Sequence, residues 1–306
     1  MNPPINNRPV CPPVTREMLY SRNGLTRFME SAGFRYSRAL GQNFLINRRV
    51  MESVLDAIAF PRSGRVIEIG PGLGQLTWLI LERGADVVAV ERDRWFAAWL
   101  PEMLEQFDFG AARLRVIQQD ALETDFRQLA EEHQAARVIG NLPYNVSVPI
   151  LFHLAYCGFR FEQIAVMLQK EVGERILAHP GTKSYGRLSI VLKYLFSIQK
   201  VKTIDPGSFC PRPHVESVFL TLEPLPDADV EFARLFLERV IHIGFLHRRK
   251  KLRKQLQGAI VQRRVLDADF LREAEQDFNL DDRAEAWPIE TWVRFAELVR
   301  SRQPVE

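Results

Sequence analysis

Residues 66–77, VIEIGPGLGQLT, set a hydrophobic run before Gly70, Gly72 and Gly74 and an apolar helical pattern after them. Few chain geometries accommodate that order. A backbone that leaves a strand, turns sharply and enters a helix needs residues tolerant of positive φ, and glycine adopts it without steric cost. The segment predicts a strand–turn–helix unit of an open α/β sheet, with the turn at the strand's carboxyl end, where ligands approach. A purely structural turn is the plain alternative.

The flanking sequence extends the unit. Short β-rich runs at 65–70, 87–91, 114–120, 137–141, 163–169, 200–204 and 217–223 alternate with helical patterns at 48–59, 76–82, 94–105, 149–156 and 185–196. Most runs are continuously apolar, as in strands buried on both faces. The expected fold class is α/β: a Rossmann-like sheet with helices on both faces. The prolines of PLPDAD, residues 224–229, read as a linker, and the chain beyond has helical spacing only. The expected organisation is therefore an N-terminal extension (1–37), a sheet domain (38–226) and a smaller all-α domain (227–306). Trp287, Trp292, Phe295 and Leu298 have the spacing of a core-facing helical set.

The formal net charge of +3 conceals strong segregation. Residues 1–45 carry six Arg against two Glu, residues 239–264 carry nine Lys/Arg and no acid, and the remainder sums to about −10. Such segments suit a partner with a phosphate backbone, although a solvated basic face would look the same. The tail from Leu266 onward is acidic. Cys11, Cys157 and Cys210 form no C-x-x-C pair, so neither a disulfide framework nor a thiolate metal site is expected. No apolar run approaches the roughly 20 residues of a membrane helix, and the N-terminus lacks a signal-peptide core. Glu17, Glu30 and the prolines argue against an organelle transit peptide. A cytoplasmic monomer without metal is the expectation.

A dinucleotide fingerprint would require glycine at position 75, which is Gln75. A nicotinamide-dependent dehydrogenase is thereby disfavoured. The spacing E-x-G-x-G-x-G instead resembles the first motif of class I methyltransferases, whose methyl donor is S-adenosyl-L-methionine. Glu91 ends the next strand, where a carboxylate can accept hydrogen bonds from both ribose hydroxyls. Asp120 ends the third, where a carboxylate can accept from the adenine amine of that cofactor. Taken singly these are ordinary strand-end acids; at three successive strand ends they mark a ligand edge.

The run VIGNLPYNVS, residues 138–147, puts Asn141, Leu142, Pro143 and Tyr144 at the end of the fourth strand. An adenine amine is a poor nucleophile because its lone pair is delocalised into the ring. Acceptance of its N–H groups by the Asn141 side-chain oxygen and the Leu142 carbonyl would draw the nitrogen toward tetrahedral geometry. Tyr144 offers a flat face for an extruded base. A strand-ending turn with a buried tyrosine is the bland alternative. The overlapping sequon Asn145-Val146-Ser147 is accidental without a secretory signal.

Together these residues resemble the small-subunit ribosomal RNA adenine dimethyltransferases, which modify two adjacent adenosines in a hairpin loop near the RNA's 3′ end. The carrying motifs are RALGQNFLIN (38–47), VIEIGPGLG (66–74), VVAVERD (87–93), QQDAL (118–122), GNLPYNVS (140–147), MLQKEVGERILAHPGTKSYGRLS (167–189), FCPRPHVESV (209–218) and GFLHRRKKLRKQL (244–256). The resemblance implies that Gln42, Asn43 and Leu45 lie across the cofactor, with Gly70, Gly72, Glu91, Asp120 and Asn141 as further contacts. It implies that Phe209 is a second aromatic, sandwiching the target base against Tyr144. It also implies a basic helix carrying Arg248, Arg249, Lys250, Lys251, Arg253 and Lys254 as the RNA-gripping surface, fixing register on phosphates rather than reading bases. The implied partner is small-subunit ribosomal RNA or a partly assembled, pre-30S-type particle.

Two other readings remain. The large-subunit adenine methyltransferases of macrolide resistance share GQNF and N-L-P-Y, but LQKEVGERI, PRPHVESV and the long helical C-terminal region favour the small-subunit class. A non-catalytic ribosome-assembly factor would show a degraded site, whereas Glu91, Asp120, Asn141 and Tyr144 are all present. The N-terminal extension is assigned nothing beyond added positive charge.

Overall fold

The computed structural model describes residues 14–33, 42–58, 60, 64–261 and 268–302. Its strands are β1 (Phe44–Leu45), β2 (Arg65–Ile69), β3 (Asp86–Glu91), β4 (Leu114–Gln118), β5 (Arg137–Asn141), β6 (Gln163–Gln169), β7 (Phe196–Ile204), β8 (Phe209–Cys210) and β9 (Ser217–Pro224). Seven of them form one sheet in the order β4-β3-β2-β5-β6-β9-β7, and β1 pairs with β8 in a separate antiparallel ribbon. Strands β2 to β6 pair with one another in parallel, while β9 runs antiparallel to β6.

The strands expected from sequence are present, and their burial follows their place in the sheet. Strands β2, β3, β5, β6 and β9 are buried along most of their length; the edge strands β4 and β7 are largely half-buried or exposed. Helices α1 (Arg16–Leu19), α2 (Arg22–Ser31), α3 (Arg48–Ala57), α4 (Gln75–Glu82), α5 (Arg94–Leu104), α6 (Phe126–His133) and α7 (Ser147–Tyr156) precede or connect the strands. Asn47, Asp93 and Asp125 cap α3, α5 and α6, each accepting a backbone N–H of the first turn.

The N-terminal extension does more than carry charge. Leu19, Leu25 and Phe28 on α1 and α2 are fully buried in the same core as the sheet, and the Phe28 and Trp99 rings lie 5.1 Å apart. Its apolar residues recur at helical spacing, and that pattern drives them inward.

The chain divides into two compact units. The sheet unit runs up to Lys170 and resumes at Gln199–Glu223; the helical unit comprises Glu171–Ile198 and Pro224–Glu306. A single boundary near Asp227 therefore does not describe the chain. Helices α8 (Lys170–Leu177) and α9 (Arg187–Leu195) fall between sheet strands in sequence, yet α9 packs on later helices of the C-terminal region. Its buried face includes Leu188, Val191 and Leu195, too much apolar surface to leave in water.

The other helices of this unit are α10 (Val230–Phe232), which continues through a π turn at Ala233–Leu237 into α11 (Glu238–Phe245), then α12 (Leu252–Val261), α13 (Ala268–Asp277) and α14 (Ile289–Arg302). Trp287, Trp292 and Phe295 are buried as expected, whereas Leu298 is half-buried and Val299 takes the inward position. At Gly244 the backbone of α11 approaches α14 so closely that a Cβ would stand 2.3 Å from the Trp292 ring. Among the described residues, no helix is long and apolar enough to cross a membrane.

Candidate active site

Strand order fixes where the site lies. The chain builds β2, β3 and β4 toward one edge, then returns to place β5 on the other side of β2. The crevice between the carboxyl ends of β2 and β5 is therefore a topological switch point, where open α/β sheets bind ligands. Register aligns the residues across it. Ile69 pairs with both Gly140 and Val90, so Gly70, Asn141 and Glu91 end three adjacent strands side by side. Glu91 pairs with Gln118, two residues before Asp120.

The cleft at this edge has about 1320 Å³ of empty space, its open mouth included. All the sequence-expected cofactor residues line it: Gln42, Asn43, Leu45, Gly70, Gly72, Glu91, Asp120 and Asn141. Leu142 and Tyr144 line it too. Gly70 has φ of 66°, and a Cβ there would find no atom within 4 Å, so its backbone faces open space. Gly72, with φ of 55°, has no such room: a Cβ would stand 2.8 Å from the Phe44 ring.

Glu91 is nearly buried and organises the turn. Its carboxylate accepts the Gly72 N–H at 3.0 Å and the Asp93 N–H at 2.8 Å. Burial pushes its pKa up to about 7, against the lowering effect of those two bonds. Glu68, the acid that opens the glycine motif, is fully buried, accepts the Thr77 hydroxyl at 2.6 Å, and is pushed by burial to about 8. Nothing in the sequence around Glu68 distinguishes it from a solvent-facing acid; its burial follows from its place in the central strand β2. Asp120 accepts the Leu122 N–H at 2.9 Å and pairs with Arg92 at 3.2 Å. Gln42 donates to Asp93 at 3.5 Å.

At the end of β5, the Asn141 amide nitrogen donates to the Asn43 carbonyl at 2.8 Å, joining two motifs 98 residues apart. That bond orients the amide, and Asn141 Oδ1 accepts no hydrogen bond among the described residues. The Leu142 N–H extends the ladder to the Met167 carbonyl at 3.2 Å, while the Leu142 carbonyl is likewise unclaimed there. Two acceptors are thus held ready at one strand end. The Tyr144 hydroxyl shares a 2.7 Å hydrogen bond with Ser217, and burial raises its pKa, so it stays a neutral phenol.

Phe209 lies apart from these cleft-lining residues. The residue is fully buried in the sheet unit's core, opposite Leu45 in the β1–β8 ribbon, and does not line the cleft. An aromatic ring at a strand start is pulled into the core by its apolar area.

The basic segment also departs from expectation. Arg248, Arg249 and Lys250 lie in the turn before α12, and only Arg253 and Lys254 stand on the helix. Arg248 donates to the Tyr185 carbonyl at 2.7 Å and lies 3.9 Å from Glu285. Lys251 pairs with Asp281 at 3.5 Å, and Arg253 pairs with Glu275 and Asp281. Arg249, Lys250 and Lys254 are exposed and form no ion pair among the described residues.

Carboxylates and a carboxamide at adjacent parallel strand ends, around a glycine turn at the switch point, place this protein among the class I methyltransferases. Two solved structures share the fold. A dimethyladenosine transferase from Plasmodium falciparum superposes with a TM-score of 0.65 at 24% identity, covering 81% of this chain and 94% of that one. The 23S rRNA methyltransferase ErmE gives 0.57 at 21%, covering 84% and 99%.

Within that class the chain belongs to the ribosomal RNA adenine dimethylase family, whose model matches residues 33–299. Similar relatives bear the name ribosomal RNA small subunit methyltransferase A. That of Acidithiobacillus ferrooxidans is 36% identical over 276 residues, covering 88% of this chain and 97% of the relative. That of Alkaliphilus metalliredigens is 35% identical over 281 residues, covering 90% and 96%.

Proposed function

We propose that this enzyme uses S-adenosyl-L-methionine to form N6,N6-dimethyladenosine at two adjacent adenosines in a hairpin loop near the 3′ end of small-subunit ribosomal RNA, as a step of subunit biogenesis. The observation that carries the reading is the pair of unclaimed acceptors, Asn141 Oδ1 and the Leu142 carbonyl, beside the open backbone of Gly70.

The cleft suits the cofactor by its donor and acceptor set. Glu91 can accept ribose hydroxyls, Asp120 an adenine amine, and Gly70 leaves the backbone open to close approach. When bound, the cofactor supplies a methyl group on a sulfonium. The chain supplies position and dipoles. Asn141 Oδ1 and the Leu142 carbonyl accept the two N–H groups of the target amine, pyramidalise the nitrogen and aim its lone pair. The same oxygens would stabilise the positive charge that grows on the target nitrogen as it takes up the methyl group. The nitrogen then loses a proton to water. After the first transfer one N–H remains, so the second relies on a single acceptor. Tyr144 supplies the aromatic face for the extruded base, and Phe209 supplies none in this arrangement. Within the basic segment, Arg249, Lys250 and Lys254 have no acidic partner among the described residues and are free to meet RNA phosphates.

The test is incubation with methyl-labelled S-adenosyl-L-methionine and undermethylated small subunits or their naked RNA, followed by identification of the nucleoside and its position. Dimethyladenosine at two adjacent sites near the 3′ end is expected. Label in large-subunit RNA, or none in either substrate, overturns the reading.

A further inference from the structure

Helices α1 and α2 precede residue 33, where the family match begins, so the family's motifs assign them nothing. Their hydrogen bonds lead to the cofactor cleft. The Tyr20 hydroxyl donates to the backbone carbonyl of Gln75 at 2.8 Å, and the Gln75 side chain returns a bond to the Leu19 carbonyl at 3.5 Å. Gln75 is buried, starts α4 immediately after Gly74, and lines the cleft. On the other side Arg22 donates to the Phe209 carbonyl at 3.0 Å, and β8 there pairs with β1, whose Phe44 and Leu45 also line the cleft.

Gly70, Gly72 and Gly74 are all in the left-handed region, and three such residues within five leave the turn little intrinsic stiffness. It must be held from outside. Glu91 holds Gly72 from the strand side, but the same carboxylate is the acceptor offered to the ribose. Tyr20 grips the turn's exit without facing the ligand. The helices are themselves set closely: a Cβ on Gly24 would stand 2.7 Å from the Met18 backbone, and the Arg48 guanidinium covers the Tyr20 ring at 5.4 Å.

We propose that α1 and α2 are a positioning element of the cofactor site, Tyr20 bracing the start of α4 and Arg22 bracing the β1–β8 ribbon. The inference rests on the reading of the cleft as an S-adenosyl-L-methionine site. Both are positioning residues: Tyr20 acts through Gln75, which lines the cleft, and Arg22 acts through Phe209, whose strand β8 pairs with the cleft-lining β1.

Calorimetric titration of the full chain with S-adenosyl-L-methionine tests it. Tyr20→Phe and Arg22→Gln should each raise Kd about fivefold, the equivalent of one ordinary hydrogen bond, with kcat at saturating cofactor changed less than about twofold. Arg22→Lys should recover part of the affinity. Arg27→Gln, the same charge change on an exposed position of α2, should leave Kd alone. Hydrogen exchange should quicken at residues 72–76 in Tyr20→Phe and at Phe44 and Leu45 in Arg22→Gln. A fall in Tm with Kd and local exchange at wild-type values reduces α1 and α2 to a stabilising brace and overturns the inference. Failure of the wild-type chain to bind overturns the cofactor reading instead, and is recognised before any variant is made.

Discussion

The sheet unit and the helical unit use charge in opposite ways. Acids at the cleft are few, and Glu68 and Glu91 are buried with pKa values raised by desolvation to about 8 and about 7. Register and backbone N–H groups hold Glu91 in a fixed place at the strand end. The basic turn before α12 and its following helix carry six cations on the surface. Three of them are engaged by acids of the C-terminal tail, Glu275, Asp281 and Glu285. The charge segregation along the sequence is thus partly cancelled within the unit. A buried charge acts where the fold places it, whereas an exposed charge is available only where no neighbour has claimed it.

The sharpest test of the sheet side is Asn141→Ala. Loss of one acceptor and of the bond to Asn43 should lower single-turnover methyl transfer by about 10²- to 10³-fold, while cofactor binding weakens but stays measurable. Near-normal turnover would break the view that position alone carries this site. Tyr144→Ala comes next, with a loss of about 10- to 100-fold in kcat/KM for RNA, since base stacking is worth about 1–3 kcal/mol. Tyr144→Phe keeps the ring and forfeits the Ser217 bond, so it should lose only a few-fold, about one hydrogen bond. Equal losses in the two variants would contradict stacking.

The pH dependence separates buried from exposed charge. If ribose hydroxyls donate to ionised Glu91, as proposed, its pKa raised to about 7 means that cofactor affinity should fall as pH drops below about 7, by at most about tenfold per pH unit. Glu91→Gln should bind weakly and flatten that profile. Titration between pH 5.5 and 8.5, to be measured at about half-unit steps, checks it.

On the helical side, replacing Arg249, Lys250 and Lys254 by Gln should reduce the salt-dependence slope of RNA binding by about 2, each phosphate contact contributing about 0.7–0.9. The same change at Arg248, Lys251 and Arg253 should reduce it by less than about 1, because those cations already have acidic partners. Equal slopes would erase the distinction between engaged and available cations. The smallest effect is expected at Glu68. Its carboxyl pKa is raised on folding, so its stabilising contribution is complete below the unfolded value near 4.5 and is lost as pH rises through about 8. Glu68→Gln, which mimics the protonated acid, should flatten Tm against pH across that window.

Much of the sheet was legible because its signals are local. An apolar run such as Gln163–Gln169 declares a strand buried on both faces, and glycines at 70, 72 and 74 declare a turn that no other residue fills cheaply. Strand-end placement followed, and with it Glu91, Asp120 and Asn141, since successive parallel strands present their carboxyl ends on one edge. The edge strands β4 and β7 were found without their exposure, because position in a sheet is not encoded within a strand.

What the amino-acid order determined by itself was the set of elements and the chemistry at their ends: a glycine turn, two strand-end acids, and Asn-Leu-Pro-Tyr. Tertiary structure alone decided that Phe209 turns into the core, that residues 171–198 join the helical unit, that Tyr20 and Arg22 reach Gln75 and Phe209, and that half of the basic cluster is engaged. The reason is range. Periodicity and backbone preference act over a few residues, whereas burial and ion pairing depend on partners brought from as far as 187 positions away in the chain.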